Sequence, residues 1–195
     1  MKFPLQFTFK ITTISNDLRV HDADGVEIAY VRQKLFKWKD EIEVFESDNR
    51  ARLLFRIRAD RWLDFSATYR FFDASDNQMG CVSRQGMRSI WKASYQIFDE
   101  QNRPDFAVSE ESAMVKVFDS LFGELPIIGI FTGYFFNPAY VITRPNDTLI
   151  ARLQKEKSFF GRRFSVNKLA EFEEGEETRI LLGLMMMILL ERERG

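Results

Sequence analysis

The chain has 195 residues, 45% of them hydrophobic and 20 of them Phe, which is enough for one domain over residues 1–195 with a large core and excludes a disordered polymer. Its 28 basic and 29 acidic residues leave a formal net charge of −1, so no global field recruits nucleic acid, and any electrostatic partner must be met by a local patch. A single cysteine, Cys81, excludes an internal disulfide and fits a reducing, cytoplasmic setting.

The start, MKFPLQFTFK, alternates and carries Pro4 where an export signal needs an uninterrupted apolar run, so no signal peptide is expected. Phe7, Phe9 and Ile11 against Thr8, Lys10 and Thr12 predict a first strand with one buried face. Asn16-Asp17 and Asp24-Gly25 supply turn chemistry, the second as a hairpin signal before Val26, Ile28 and Tyr30. Ile42 and Val44, then Leu53, Phe55 and Ile57 interleaved with Arg52, Arg56 and Arg58, then Phe65 to Phe71, continue the period of two. Further turns are expected at 47–49, 73–77 and 99–104. Short strands at this spacing predict a sandwich or barrel.

Ser109 to Phe122 changes the period. Met114, Val117, Phe118 and Leu121 predict a short amphipathic helix, with Ser109 as cap, Glu110 and Glu111 in the first turn, and Gly123 and Pro126 at its end. Leu125 to Ile142 carries no charge, but its two glycines and two prolines suit a connection with one or two core strands better than a spanning helix. After a turn at 145–147 come strands through 149–153 and 159–166, then the run Ile180–Leu190, ILLGLMMMILL. Leading glutamates and trailing arginines suit the two ends of a helix dipole, and a helix without a polar stripe must be enclosed on all sides. At about 1.5 Å per residue the run spans roughly 16 Å, about half of a bilayer core. Gly183 inside it marks a close neighbour.

Three stretches echo one another after a turn: Ile28-Ala29-Tyr30-Val31, Met79-Gly80-Cys81-Val82 and Ile150-Ala151-Arg152-Leu153. Their uneven spacing excludes a solenoid and points to hairpins reused around one closed sheet. The expected fold is therefore mainly β: a closed antiparallel barrel of about twelve strands around a buried hydrophobic C-terminal helix, plus the short amphipathic helix. A barrel that wide cannot be filled by its own side chains, and the helix fills it.

On the hairpin from Asp24-Gly25 to Lys34-x-Phe36, the hairpin Gly80-x-Val82-x-Arg84 with Trp91-Lys92, the segment from Asn146-Asp147 to Phe160 and the terminal helix, the sequence resembles the tubby C-terminal-like superfamily. Within it, the resemblance is to the branch holding LURP-one-related proteins and phospholipid scramblases. It implies a twelve-stranded barrel around a hydrophobic helix, a scaffold often linked with membranes and phosphoinositides, and no shared enzyme activity. The scramblase features of a proline-rich leader, a cysteine cluster and an aspartate-rich calcium segment are missing, as is a tubby-type C-terminal signature. The family's phosphoinositide-binding positions are therefore not carried over.

No catalytic or metal-binding set emerges, and no cofactor is expected. His21, the one histidine, reads as a surface residue beside a turn. Cys81 reads as a small core residue, and Asp22 to Gly25 as a hairpin, since Gln33 stands where a calcium loop needs glutamate. Met185, Met186 and Met187 point three ways from a helix and read as core filling. The remaining constellation is basic: Arg32, Lys34, Lys155, Lys157, Arg162 and Arg163 form a phosphate-binding group if the second and penultimate hairpins are neighbours, against the ordinary reading of solvated strand faces. No helix carries a basic cluster suited to the major groove, so no nucleic acid partner is expected. The leading functional expectation is a non-catalytic binding or adaptor module, cytoplasmic and peripheral to a membrane, with anionic phospholipid or a protein as partner. A scramblase-like membrane-active protein using residues 125–142, and an enzyme with a pocket at the barrel mouth, are the alternatives.

Overall fold

The computed structural model describes residues 1–11, 15–34, 41–60, 67–85, 94–111, 139–156 and 162–192. Twelve antiparallel strands form a closed barrel in the order β1-β12-β11-β10-β9-β8-β7-β6-β5-β4-β3-β2. They are β1 (Leu5–Ile11), β2 (Ser15–His21), β3 (Glu27–Lys34), β4 (Glu41–Phe45), β5 (Leu53–Ala59), β6 (Thr68–Asp73), β7 (Gln78–Gln85), β8 (Ser94–Phe98), β9 (Pro104–Glu110), β10 (Ala139–Thr143), β11 (Leu149–Glu156) and β12 (Arg162–Lys168). Pairing of β1 with β12, Phe7 opposite Phe164, closes the ring and removes both sheet edges. Helix α1 (Glu176–Arg192) packs inside it.

Four hairpins share one turn. In 22–26, 73–77, 99–103 and 144–148 the first residue's amide donates to the fifth carbonyl and the fourth amide to the first carbonyl. The fourth residue is left-handed in each: Gly25, Asp76, Asn102 and Asp147, with φ of 78°, 69°, 61° and 62°. A register shift sits beside every one of them. This is a type I turn closed by a left-handed residue and a bulge, which adds twist where a barrel needs it. Asp22, Asp73 and Asp99 reinforce it, each carboxylate accepting the amides two and four residues on. Hydrogen bonding from Asn77 holds the Asp73 carboxyl below its ordinary value.

Because the strands alternate in direction, the five even-to-odd connections, these four and the longer 46–52 hairpin, lie at one end of the barrel, the tight-turn end. The other end, where odd-numbered strands finish and even-numbered strands begin, is the connection end; the residues that join them are mostly outside those described.

Helix α1 enters from the tight-turn end, where its ionic anchors lie. Arg144 Nη2 donates to Glu176 Oε2 at 2.8 Å and to the Glu171 carbonyl at 2.9 Å, while Glu176 Oε2 also accepts the Glu173 amide at 2.7 Å. Arg179 Nε donates to Asp105 at 2.6 Å and its Nη1 lies 3.5 Å from Glu100. Burial pushes the Asp105 carboxyl up, against the pull of Arg179. From Ile180 to Leu189 the large side chains are at most 3% exposed, so the apolar run is enclosed as its composition requires. The helix lies nearest β6, β7 and β8. Gly183 makes that approach possible, since a Cβ there would sit 2.5 Å from Ile97 Cδ1. On the far side Phe7, Phe9, Leu18 and Leu153 fill the interior.

Several expectations need correcting. Asn16 and Asp17 are paired strand residues, opposite Ile11 and Lys10, because Leu18 and Val20 supply a buried alternation that continues β2 back to Ser15. Ser109 and Glu110 do not begin a helix: they extend β9, paired with Val141 and Tyr140, because β10 offers a ladder that local spacing cannot reveal. The rest of the predicted amphipathic helix beyond Glu111, and most of the uncharged stretch 125–142, lie outside the described residues; its end forms β10. Cys81 is buried but stands on the outward parity of β7, between the inward Gly80 and Val82, with its thiol 3.9 Å from Asn102 Oδ1. Burial pushes that thiol up, away from a reactive thiolate.

Candidate functional site

The basic candidates fall on one sector of the barrel. Strands β11, β12, β1, β2 and β3 are consecutive in the ring, so the second and penultimate hairpins are joined through β1. Arg32, Lys34, Lys155, Arg162 and Arg163 all occupy the connection-end halves of β3, β11 and β12. Lys157 lies outside the described residues, and Lys34 and Arg162 are placed by their backbones alone, opposite Ser15 and Phe9.

The side chains that are described divide between the two faces of the sheet. Arg32 points outward, 41% exposed, with its Nε 3.9 Å from Asp17 Oδ1. Burial, and after it the same Asp17, pushes the neighbouring Tyr30 phenol up, and Arg19 stacks its guanidinium 5.2 Å from the Tyr30 ring. Arg19 is itself held by Glu27 at 3.4 Å and Asp48 at 2.8 Å, so the outer face of β2 and β3 is largely compensated within the protein. Exposed Arg163 pairs in register with Glu156 on one side and Thr8 on the other. Lys155 has the opposite parity: it stands opposite Phe164, in line with Phe7, on the face that looks into the barrel. Among the described residues the side chains of Lys155 and Arg163 have no hydrogen bond or ion pair. Exposed ion pairs of the Arg32 kind contribute little, about 0–1 kcal/mol, and break readily for a better ligand.

Sequence reading named Arg84 in the motif that carries the resemblance but not as a site residue. Arg84 follows the inward Gly80 and Val82 at a spacing of two and stands opposite Tyr95, so its side chain enters the barrel near the connection end. Its Nε is buried without a hydrogen-bond partner. The signal was present in the internal echo, which when run two residues past Val82 and Leu153 reaches Arg84 and Lys155 together.

The tight-turn end offers a different chemistry. There Asp22, Asp73 and Asp99 accept turn amides, Glu176 and Asp105 are held by Arg144 and Arg179, and Met1 and Lys2 pair with Glu177 and Asp24. Among the described residues no group of three or more His, Cys, Asp or Glu side chains could hold a metal. No described helix is long and apolar enough to cross a membrane.

A family model described as LURP-one-related matches residues 27–170, well over half of the chain. The match begins with β3 and ends just after β12, leaving out β1, β2 and helix α1, which close and fill the barrel. No curated protein and no solved structure matches the chain.

Proposed function

The chain belongs to the LURP-one-related family, and from that premise we propose that it is a non-catalytic binding module whose connection end meets anionic phospholipid headgroups, attaching peripherally to a membrane surface. One observation carries the reading: ring order brings basic positions more than 120 residues apart in sequence, Arg32 and Lys34 against Lys155, Arg162 and Arg163, to one end of five consecutive strands. The interior supports the same reading from another side. Helix α1 occupies it with buried Leu, Ile and Met side chains, so ligand chemistry belongs to the rim and not to a substrate chamber. Lys and Arg at a rim suit an array of phosphates, Lys as a point charge and Arg as a fork.

Co-sedimentation of the purified chain with vesicles tests the proposal. Binding is expected to phosphatidylcholine vesicles containing phosphatidylserine, at low salt, and to weaken as ionic strength rises and the Debye length shrinks to about 8 Å at 0.15 M. Equal binding to neutral vesicles, or none to either kind, would overturn it.

A further inference from the structure

We propose that the inner rim of the connection end is a collar of repeat-related cationic positions, in which Arg84 and Lys155 each take a phosphate-bearing lipid headgroup. This rests on the lipid-surface reading above and assigns it to particular side chains on the inner face of the barrel.

The collar follows from the repeated turns. In three of the four hairpins that share this turn, β2–β3, β6–β7 and β10–β11, the left-handed residues are Gly25, Asp76 and Asp147, while the fourth, β8–β9, carries Phe106, Val108 and Glu110 at the corresponding positions after Asn102. Four residues on stand Ala29, Gly80 and Ala151; six on, Val31, Val82 and Leu153; eight on, Gln33, Arg84 and Lys155. Strands β3, β7 and β11 are four apart in a ring of twelve, so the columns are one third of a turn from each other. In β7 and β11 even steps from the turn face inward, and both columns run from a small residue through a branched apolar one to a cation at the connection end, while Gln33 is placed by its backbone alone, opposite Asn16.

Packing does not call for these cations. The Nε of Arg84 is buried without an acceptor, and its side chain makes no hydrogen bond or ion pair among the described residues. Arg152, whose Nε is similarly buried, differs because its Nη2 donates to Glu111 at 2.8 Å. Lys155 is half-buried and equally without a partner among the described residues. A phosphate oxygen supplies what the Arg84 fork lacks.

Geometry selects a surface over a single small ligand. Four strand spacings put β7 and β11 about 19 Å apart along the sheet, and helix α1, about 25 Å long and 10–12 Å across, runs between them. One phosphate cannot bridge that, whereas an array of headgroups engages both and gains avidity. The carbonyls at the helix C-terminus disfavour an anion on the axis, leaving the rim.

The test uses the full chain and the same phosphatidylserine vesicles. Arg84→Gln and Lys155→Gln should each weaken binding about fivefold, as expected for one basic side chain at an anionic surface, and the double variant should lose more. Arg84→Lys should retain most of the affinity. Arg32→Gln with Arg163→Gln should have the smaller effect. Wild-type indifference to phosphatidylserine would sink the proposed function and the collar with it. Normal wild-type binding that survives loss of Arg84 and Lys155 but disappears with Arg32 and Arg163 would overturn the collar alone. If millimolar inorganic phosphate raised the Tm of wild type but not of Arg84→Gln, while vesicle binding stayed equal, Arg84 would serve a free anion and the headgroup assignment would fall. Circular dichroism of each variant separates lost binding from lost fold, and the half-exposed Lys155 carries the comparison if Arg84→Gln unfolds.

Discussion

At Gly80 and Gly183 the backbone stands nearer to a neighbour than a side chain permits, but the two obstacles differ in kind. A Cβ on Gly80 would meet the Phe98 carbonyl oxygen at 2.4 Å, and its φ of +144° already excludes most L residues. A Cβ on Gly183 would meet Ile97 Cδ1 at 2.5 Å and Cγ1 at 2.9 Å, atoms of a side chain that can shift. Gly80→Ala should therefore cost about 3 kcal/mol or more, combining backbone strain and overpacking. Gly183→Ala should cost about 1 kcal/mol net, because roughly 1 kcal/mol of helix propensity offsets part of the crowding. Urea denaturation of both checks the order. Ile97→Val should cost less in the Gly183→Ala background than alone, since it removes the atom in the way.

An element must be held as well as enclosed, and helix α1 shows how the two tasks divide. Apolar burial from Ile180 to Leu189 draws the helix in without specifying its depth, since one turn of Leu and Met resembles the next. Depth is set at its first turns, where Glu176 meets Arg144 and Arg179 meets Asp105 across the mouth of the barrel. Glu176 is only 4% exposed, so removing Arg144 leaves a buried carboxylate that retains one backbone donor. Arg144→Leu should cost about 3 kcal/mol by chemical denaturation, in the range for a buried pair broken from one side, whereas Lys168→Leu, at a surface pair with Glu171, should cost about 1 kcal/mol or less. The hairpins divide labour similarly. Their shared turn sets twist and register, and the alternating strand residues decide which face is buried.

For the whole molecule, barrel and helix are one cooperative object. Neither has a core without the other: the strands' inward faces pack on α1, and α1 has no polar stripe with which to meet water. A chain truncated after Gly175 should lose its cooperative thermal transition and bind a hydrophobic dye such as ANS, whereas the intact chain should unfold in one transition with little dye bound. The same closure directs function to the rims. At the tight-turn end, ion pairs and turn amides occupy the carboxylates that approach the helix; the connection end leaves Arg84, Lys155 and Arg163 without partners among the described residues. On the function proposed above, the connection end is the one that meets an anionic surface.

By itself the sequence determined the local matters. Alternation at Phe7 to Ile11 and Val44 to Ile57 named strands, Asp24-Gly25 and Asn146-Asp147 named turns although the same pair at Asn16-Asp17 lies in a strand, and the unbroken run at Ile180–Leu190 required a buried helix, because periods of 2 and 3.6 and left-handed turn chemistry act over a few residues. Even Gly183 announced a close neighbour, though not that it would be Ile97. Only the tertiary structure decided which distant strands share an end and which way a basic residue faces. Arg32 and Lys155 look alike in sequence, yet they stand seven and eight residues past the left-handed residue of the same kind of turn, so one faces outward toward Asp17 and the other inward beside Phe164. A one-residue change of register reverses a side chain's face, and register is a property of the paired strands, beyond the reach of either one read alone.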